Sequence, residues 1–474
     1  MFTNLKPYPE YAESGVTWLG PTPVHWNVRR AKYLFRDIDV RSKTGHEEQL
    51  SVSHLTGVSP RRMKTITMFK AVSYVGHKTC LAGDLVVNTM WAWMGALGIA
   101  REAGLVSPAY NVYRPPRTSG VNVEFVAVLF RTPTYIAYFR SHSTGLRPSR
   151  LRFYPDELLA TPVLLPPWDE QAAIVKYLGH ANAQIDRAIA SQRKLIALLE
   201  EQKQAVINQA VTRGLDATVA FRDSGLEVPM EMPSHWRVVA LKRMLRALVD
   251  CEHKTAPYFE GGVHHVVRTT AVRKGRLEWA GTYTTSAEAF GVWTQRGMPE
   301  AGDVVFTREA PAGEACMVPP GHNVCLGQRT VLMKLDRDNF DAQYLVHQVY
   351  ADPARLRIQV ATQGSTVGHF NMDDIGRMPV FVPPLAEQCQ ITKHIAESTQ
   401  VLEVTIGRAA QEIELLREFR TRLTADVVTG QLDIRDAAAL LPELDPADLV
   451  SDVIEQDEDD LEAELPASLE EVDA

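Results

Sequence analysis

Three separated blocks of this chain occur twice in the same order, and that doubling limits what it can fold into more than any single motif does. Ser14-Gly15 and Pro23-x-His25-Trp26-x-Val28 return 210 residues later as Ser224-Gly225 and Pro233-x-His235-Trp236-x-Val238. Gly83-Asp84-Leu85-Val86 returns as Gly302-Asp303-Val304-Val305, at an offset of 219. Pro162-Val163, Pro166-Pro167 and Glu170-Gln171 return as Pro379-Val380, Pro383-Pro384 and Glu387-Gln388, at 217. The same offset carries Val211-Thr212 and Leu215-Asp216 onto Val428-Thr429 and Leu432-Asp433. Each copy is therefore a domain of about 160 residues, a Pro-Pro stop and a long polar-apolar segment.

That segment carries a heptad seam. Leu178, Ile185, Gln192, Leu199 and Val206 fall every seven residues, with Ile174, Ala181, Ala188 and Leu195 four positions before the first four of them. The second copy places Ile395, Leu402, Ala409, Leu416 and Leu423 at the same phase, and Ile189 and Ile196 return as Ile406 and Ile413. Two such stripes in one chain pack on each other, antiparallel if the intervening domain folds back. The seam is expected at Leu178, Ile185, Leu199, Val206, Ile395, Leu402, Leu416 and Leu423. About 40 helical residues span roughly 60 Å, enough for a rigid spacer and more than packing on one domain requires. Pro-Pro blocks each helix from propagating backwards. The expected architecture is two mixed α/β (α+β) domains in tandem, at 1–167 and 222–384. They alternate with helical spacers at 168–221 and 385–435, and an acidic tail, expected to be disordered or partner-bound, follows at 436–474.

Within the domains, short strands broken by Gly and Pro turns are expected, for example at 84–89, 302–307 and 330–335. Their frames match and their interiors diverge: Met90-Trp91-Ala92-Trp93-Met94-Gly95 stands where Arg308-Glu309-Ala310-Pro311-Ala312-Gly313 stands. One scaffold with two linings suits two readers of different ligands. The shared Trp26 and Trp236 are assigned to the core or to a domain hinge.

Charge points to the ligand class once it is divided along the chain. The total is -8, yet residues 1–167 hold 20 Lys+Arg against 11 Asp+Glu, and residues 222–384 balance at 18 against 18. The tail from 436 carries 15 acidic residues and no basic one, which leaves the body at +7, a balance suited to a polyanion. Candidate DNA contacts in the first domain are Arg61, Arg62 and Lys64, Asn88 and Trp93, and the loop residues Arg147, Ser149, Arg150 and Arg152. In the second they are Arg268, Thr269, Arg273, Lys274, Arg308, Arg329, Thr366 and His369. Arginine pairs bidentately with a phosphate or with guanine O6 and N7, so loop clusters suit both anchoring and readout.

Other classes are disfavoured. The sequence has no GxxxxGK[ST] phosphate loop, no GxGxxG turn and no HExxH, so neither a nucleotide site nor a metal site is signalled. Leu165-Pro166-Pro167-Trp168 lacks the side-chain acceptor that an amino-methyltransferase places before Pro-Pro. Five cysteines form no CxxC pair and are expected to be reduced and structural, and no apolar stretch approaches a membrane span. A cytoplasmic protein without membrane partners is expected.

The order Ser-Gly, Pro-x-His-Trp, variable domain, Pro-Pro-x-x-Glu-Gln, heptad helix and Val-Thr-x-x-Leu-Asp, given twice over residues 14–435, resembles the specificity subunit of type I restriction-modification enzymes. Asn88-x-Met90-x-Ala92-Trp93-x-Gly95-x-Leu97-Gly98 with Ser107-Pro108-Ala109-Tyr110, and Gly302 to Ala315 with Gly327-Gln328-Arg329, also resemble stretches of that family's target-recognition domains. The resemblance implies a non-catalytic chain whose two domains each read half of a bipartite, asymmetric site in double-stranded DNA. It implies two docked modification subunits that use S-adenosylmethionine to methylate adenine, and restriction subunits that use ATP and Mg. No cofactor is implied for this chain itself. A stand-alone DNA-binding adapter or anti-restriction decoy on the same scaffold is the alternative, and the acidic tail departs from the family pattern.

Overall fold

The computed structural model describes residues 5–63, 73–146, 150–226, 229–251, 254–309, 311–362 and 370–443. The chain forms two units that divide within the long helices: one holds residues 1–193 and 410–474, the other 194–409. Each unit thus contains one globular domain, the start of one long helix and the end of the other.

The repeated blocks build the same frame in each unit. In the first, a four-stranded antiparallel sheet runs in the order Arg36–Ile38, Tyr110–Arg114, Leu85–Asn88, Leu97–Ile99. In the second, Leu245–Asp250, Thr330–Leu335, Val304–Thr307 and Ala315–Met317 take that order again. Alternating side chains of the strand after Gly-Asp enter two different cores, as a period of two requires. Leu85 and Val87 join one core and Val86 the other; Val304 and Phe306 join one and Val305 the other. Gly-Asp makes the turn into that strand. Asp84 accepts from the Leu81 amide at 2.7 Å and pairs with Arg114 at 2.6 Å, and Asp303 accepts from the Glu300 amide at 2.9 Å and pairs with Arg337 at 2.9 Å.

Between these shared parts the units differ. The first carries the hairpin Leu50–Ser53 with Gly57–Pro60, whereas the second carries His264–Val267 flanked by Tyr283–Thr285 and Val324–Leu326.

The Pro-Pro joint explains the other repeated residues. Asn27–Arg30 pairs with Pro162–Leu165, and Arg237–Ala240 with Pro379–Val382, before Pro-Pro starts a helix at Trp168–Arg213 or Leu385–Val428. Glu170 accepts from Trp26 Nε1 at 3.0 Å and Tyr8 Oη at 2.5 Å and meets His25 Nε2 at 2.8 Å. Glu387 accepts from Trp236 Nε1 at 3.0 Å and meets His235 at 2.9 Å. Gln171 ties the Pro166 and Gly120 carbonyls to the Asn122 amide, and Gln388 does the same for Pro383, Asn339 and Asp341. The indole of each Trp also seats a helix end. A Cβ on Gly430 would lie 2.6 Å from Pro23 Cδ and 3.2 Å from the Trp26 ring, and one on Gly214 would lie 3.0 Å from the Trp236 ring. Both glycines end their helices with positive φ, at +77° and +73°. Trp26 and Trp236 are core residues, as the repeat suggested.

Within each unit the helices pack antiparallel. In the first, Asp186 pairs with Arg420 and Gln192 donates to Glu412; in the second, Lys203 pairs with Glu403 while Ile207 shares a core with Ile391 and Ile395. Of the expected seam residues, Leu178, Ile185, Ile395 and Leu423 are buried and Leu199, Val206, Leu402 and Leu416 half-buried. The companion column shifts. Ile189 is buried where the strict repeat names the half-buried Ala188, and Leu195 is 39% exposed beside the half-buried Ile196. A helix of 3.6 residues per turn drifts against a seven-residue repeat, and the seam follows the isoleucines.

The acidic tail is corrected at its start. Residues 436–443 are built into the first unit: Ala438 is buried, His180 bonds the Pro442 carbonyl at 2.9 Å and Lys176 pairs with Glu443 at 2.9 Å. The rest of the tail lies outside the described residues.

Removing the Glu170 carboxylate leaves two buried donors without their acceptor, each costing about 1–3 kcal/mol. Glu170→Ala is therefore expected to destabilise by about 3 kcal/mol and Glu170→Gln, which keeps an acceptor oxygen, by less. Urea unfolding measures both, and equal midpoints for wild type and Glu170→Ala would refute the joint's role.

Candidate DNA interface

Three segments meet at one edge of each sheet. In the first unit the strand ending at Asn88 continues into Thr89, whose hydroxyl donates to the Ala109 carbonyl at 2.5 Å and whose carbonyl accepts from the Phe153 amide at 2.9 Å. In the second, the Arg308 amide donates to the Arg329 carbonyl and its carbonyl accepts from the Phe370 amide, both at 2.9 Å. The strand end, the turn before the next long strand and the loop leading back to the Pro-Pro joint are thus gathered twice, the loop by the same backbone bond and the turn by a hydroxyl in one unit and an amide in the other.

The candidate residues of the first domain fall around this edge. Asn88 is buried and accepts from the Met90 amide at 3.1 Å, so its side chain shapes the turn. Trp93 donates to the Met90 carbonyl at 2.9 Å, and the Arg140 guanidinium lies 5.9 Å from its ring centre. Arg150 is exposed, and Arg152 is half-exposed with its backbone bridged to Thr144. Arg61 and Arg62 stand on a separate turn at the end of Gly57–Pro60. There Arg61 bonds Gln49 at 3.2 Å, and Arg62 is paired with Glu48 at 2.8 Å and Glu102 at 3.2 Å, which raises its pKa further. Lys64, Arg147 and Ser149 lie outside the described residues.

Sequence reasoning passed over two neighbours. Trp91, 38% exposed, stacks on His54 at 6.1 Å, and Arg131 supports that turn through the His54 and Leu55 carbonyls. Burial lowers the Arg131 pKa. No basic residue stands between Lys78 and Arg101, so the sequence around Trp91 carried no charge signal for it.

In the second domain the candidates separate. Arg308 is 7% exposed and pairs with Asp250 at 2.7 Å, whereas the half-exposed Arg329 pairs with Glu309 at 3.0 Å. Arg268 lies over Tyr283 at 5.5 Å and bonds the Gly281 carbonyl, with Thr269 opening the next turn. Arg273 is exposed on a hairpin whose Lys274 turns toward the long helix, pairing with Glu200 at 3.0 Å. Thr366 and His369 lie outside the described residues.

Lys274 borders a cavity of about 1000 Å³ in the second unit, also lined by Lys203, His347, Tyr350 and Glu403. Burial, aided by Lys203, lowers the His347 pKa to about 4, which leaves the imidazole neutral at pH 7. Among the described residues no cluster has the His, Cys, Asp and Glu content of a metal site, and no helix is long and apolar enough to cross a membrane.

No family model matches the sequence. The specificity subunit of the type I restriction enzyme MjaVIII from Methanocaldococcus jannaschii is 21% identical over 277 residues, covering 57% of this chain and 62% of that subunit, under two thirds of its length. A chain from a structure concerned with complex assembly and conformational transition of the type I R-M system superposes with a TM-score of 0.59 at 14% identity, over 87% of this chain and 99% of that one. The HsdS subunit from Thermoanaerobacter tengcongensis aligns at 15% identity over 87% of this chain and 98% of that one, with a TM-score of 0.41, too low to bear on the argument. With its doubled joints, its two like-ordered sheets and its antiparallel long helices, the chain shares the fold of a chain from a type I R-M system and is similar in sequence to a type I restriction enzyme specificity subunit.

Proposed function

We propose that this chain is the DNA-sequence-reading, non-catalytic subunit of a type I restriction-modification complex in the cytoplasm, each domain reading one half of a bipartite, asymmetric site. The observation that carries this reading is the doubled edge. The same three segments are gathered in both units, by one identical backbone bond and by a second bond that the Thr89 hydroxyl makes in one and the Arg308 amide in the other, while the side chains they present differ: Trp91, Trp93, Arg150 and Arg152 in one, Glu309 and Arg329 in the other. Two domains with one frame and unlike polar edges can discriminate two unlike base sequences, and base edges are what specify a site.

Arg150 and Arg152, with Arg147, supply phosphate neutralisation in a domain of net positive charge. The long helices dock two modification subunits and fix the gap between half-sites. S-adenosylmethionine, ATP and Mg serve the modification and restriction subunits. Methyl transfer in vitro tests the assignment. The purified chain alone is expected to transfer no methyl group and cut no DNA, and mixing it with its methyltransferase subunits is expected to direct methylation to bipartite sites. Methyl incorporation by the chain alone, or methylation whose site choice is indifferent to the chain, would refute the reading.

A further inference from the structure

Among the described residues, two that are not glycine hold a positive φ: Lys274 at +47° and Arg329 at +72°. Lys274 shares a hairpin turn with Gly275, at +83°, and such turns require that conformation at both positions. Arg329 is third in the turn Gly327–Thr330, closed by the Thr330 amide on the Gly327 carbonyl at 3.3 Å. Glycine or asparagine is the favoured occupant of such a place, because a Cβ there crowds the backbone.

The equivalent turn of the first domain, Ser107 to Tyr110, is closed by the same bond at 2.9 Å and puts Ala109 at that place. Ala109 holds no positive φ, so the first domain closes its turn without the strain that the second places on an arginine, and observed strain of this kind clusters at ligand-contacting positions.

The surroundings give the side chain a defined direction. The Arg329 carbonyl is fixed by the Arg308 amide at 2.9 Å, and Arg308 itself is committed to Asp250. The Arg329 side chain is 48% exposed, with Nε held by Glu309 Oε2 at 3.0 Å, and that glutamate is 19% exposed. A carboxylate on Nε orients the plane of the guanidinium, and the terminal nitrogens form the edge that meets a pair of acceptors.

We propose that Arg329 reads a guanine in the half-site of the second domain, donating to O6 and N7, with Glu309 as the positioning residue that holds its plane. The inference rests on the DNA-reading function above and adds the base that Arg329 meets and the role of Glu309. Guanine is favoured over phosphate because phosphate contacts tolerate flexible arms, whereas base readout depends on orientation, which a strained and buttressed backbone supplies.

The test uses the full chain assembled with its methyltransferase subunits, assayed on duplexes carrying each base substitution in the mapped half-site of residues 222–384. Arg329→Gly relieves the strain, so the complex is expected to assemble and melt at or above the wild-type temperature. Its preference for guanine at one base pair is expected to fall about 10- to 100-fold, with the other positions unchanged. Arg329→Lys, which lacks the planar fork, is expected to lose the same preference, and Glu309→Ala to lose part of it at that base pair alone. A half-site without guanine would overturn the proposal, as would variants that keep every base preference and show only a shallower salt dependence, the signature of a phosphate contact. Failure of the wild-type complex to methylate any specific site would instead overturn the functional reading itself.

Discussion

Exchanging residues 222–384 for the matching domain of a related specificity subunit is expected to replace one half of the recognised site and leave the other half intact. The effect is close to all-or-none, because a specific site typically binds 10³- to 10⁷-fold tighter than non-specific DNA. The boundaries follow the joint. The exchanged segment retains Trp236 and ends at Pro384, so the Glu387 and Gln388 contacts and the Gly214 seat on the Trp236 ring can re-form with any domain carrying the same motif. The lining around Arg329 and Glu309 travels with the segment, whereas Trp91, Trp93, Arg150 and Arg152 stay behind. Methylation mapping of the chimaera reads the outcome, and a change in both half-sites on a single exchange would contradict independent reading.

Inserting one heptad into each long helix, at matched positions on the seam, is expected to preserve both half-sites and to lengthen the gap between them. Seven helical residues add about 10 Å, roughly three base-pair steps of B-DNA. Matched insertion keeps the apolar register. Insertion into one helix alone displaces partners such as Asp186 and Arg420 in one unit, or Lys203 and Glu403 in the other, and is expected to weaken assembly with the methyltransferase subunits. A gap that stayed fixed after paired insertion would show that the helices do not set it.

Much of this organisation was legible in the sequence because repeats and periodicity are local patterns. The Pro-Pro stops, the two helices and the strands after Gly-Asp fall where the repeat put them. What the repeat could not reveal is pairing between distant residues. The partnership of Tyr8 with Glu170, or of Tyr11 with the Gly430 carbonyl, joins positions 162 and 419 residues apart with no local signal. For the same reason Arg308 and Lys274 looked like free cations in the sequence, whereas Asp250 and Glu200 engage them in the fold. The first residues of the acidic tail were placed outside the fold by their charge, yet Ala438 supplies an apolar contact there. Which base each edge residue meets is a question of DNA geometry that composition does not encode, and the backbone strain at Arg329 became visible only with φ in hand.

The claim that this chain alone selects the DNA sequence is tested most directly by sequencing methylated adenines genome-wide in cells that carry the modification subunits with and without it. The account predicts methylation at one bipartite, gapped motif in the presence of the chain and none at that motif in its absence. A methylation pattern unchanged by removal of the chain would contradict it.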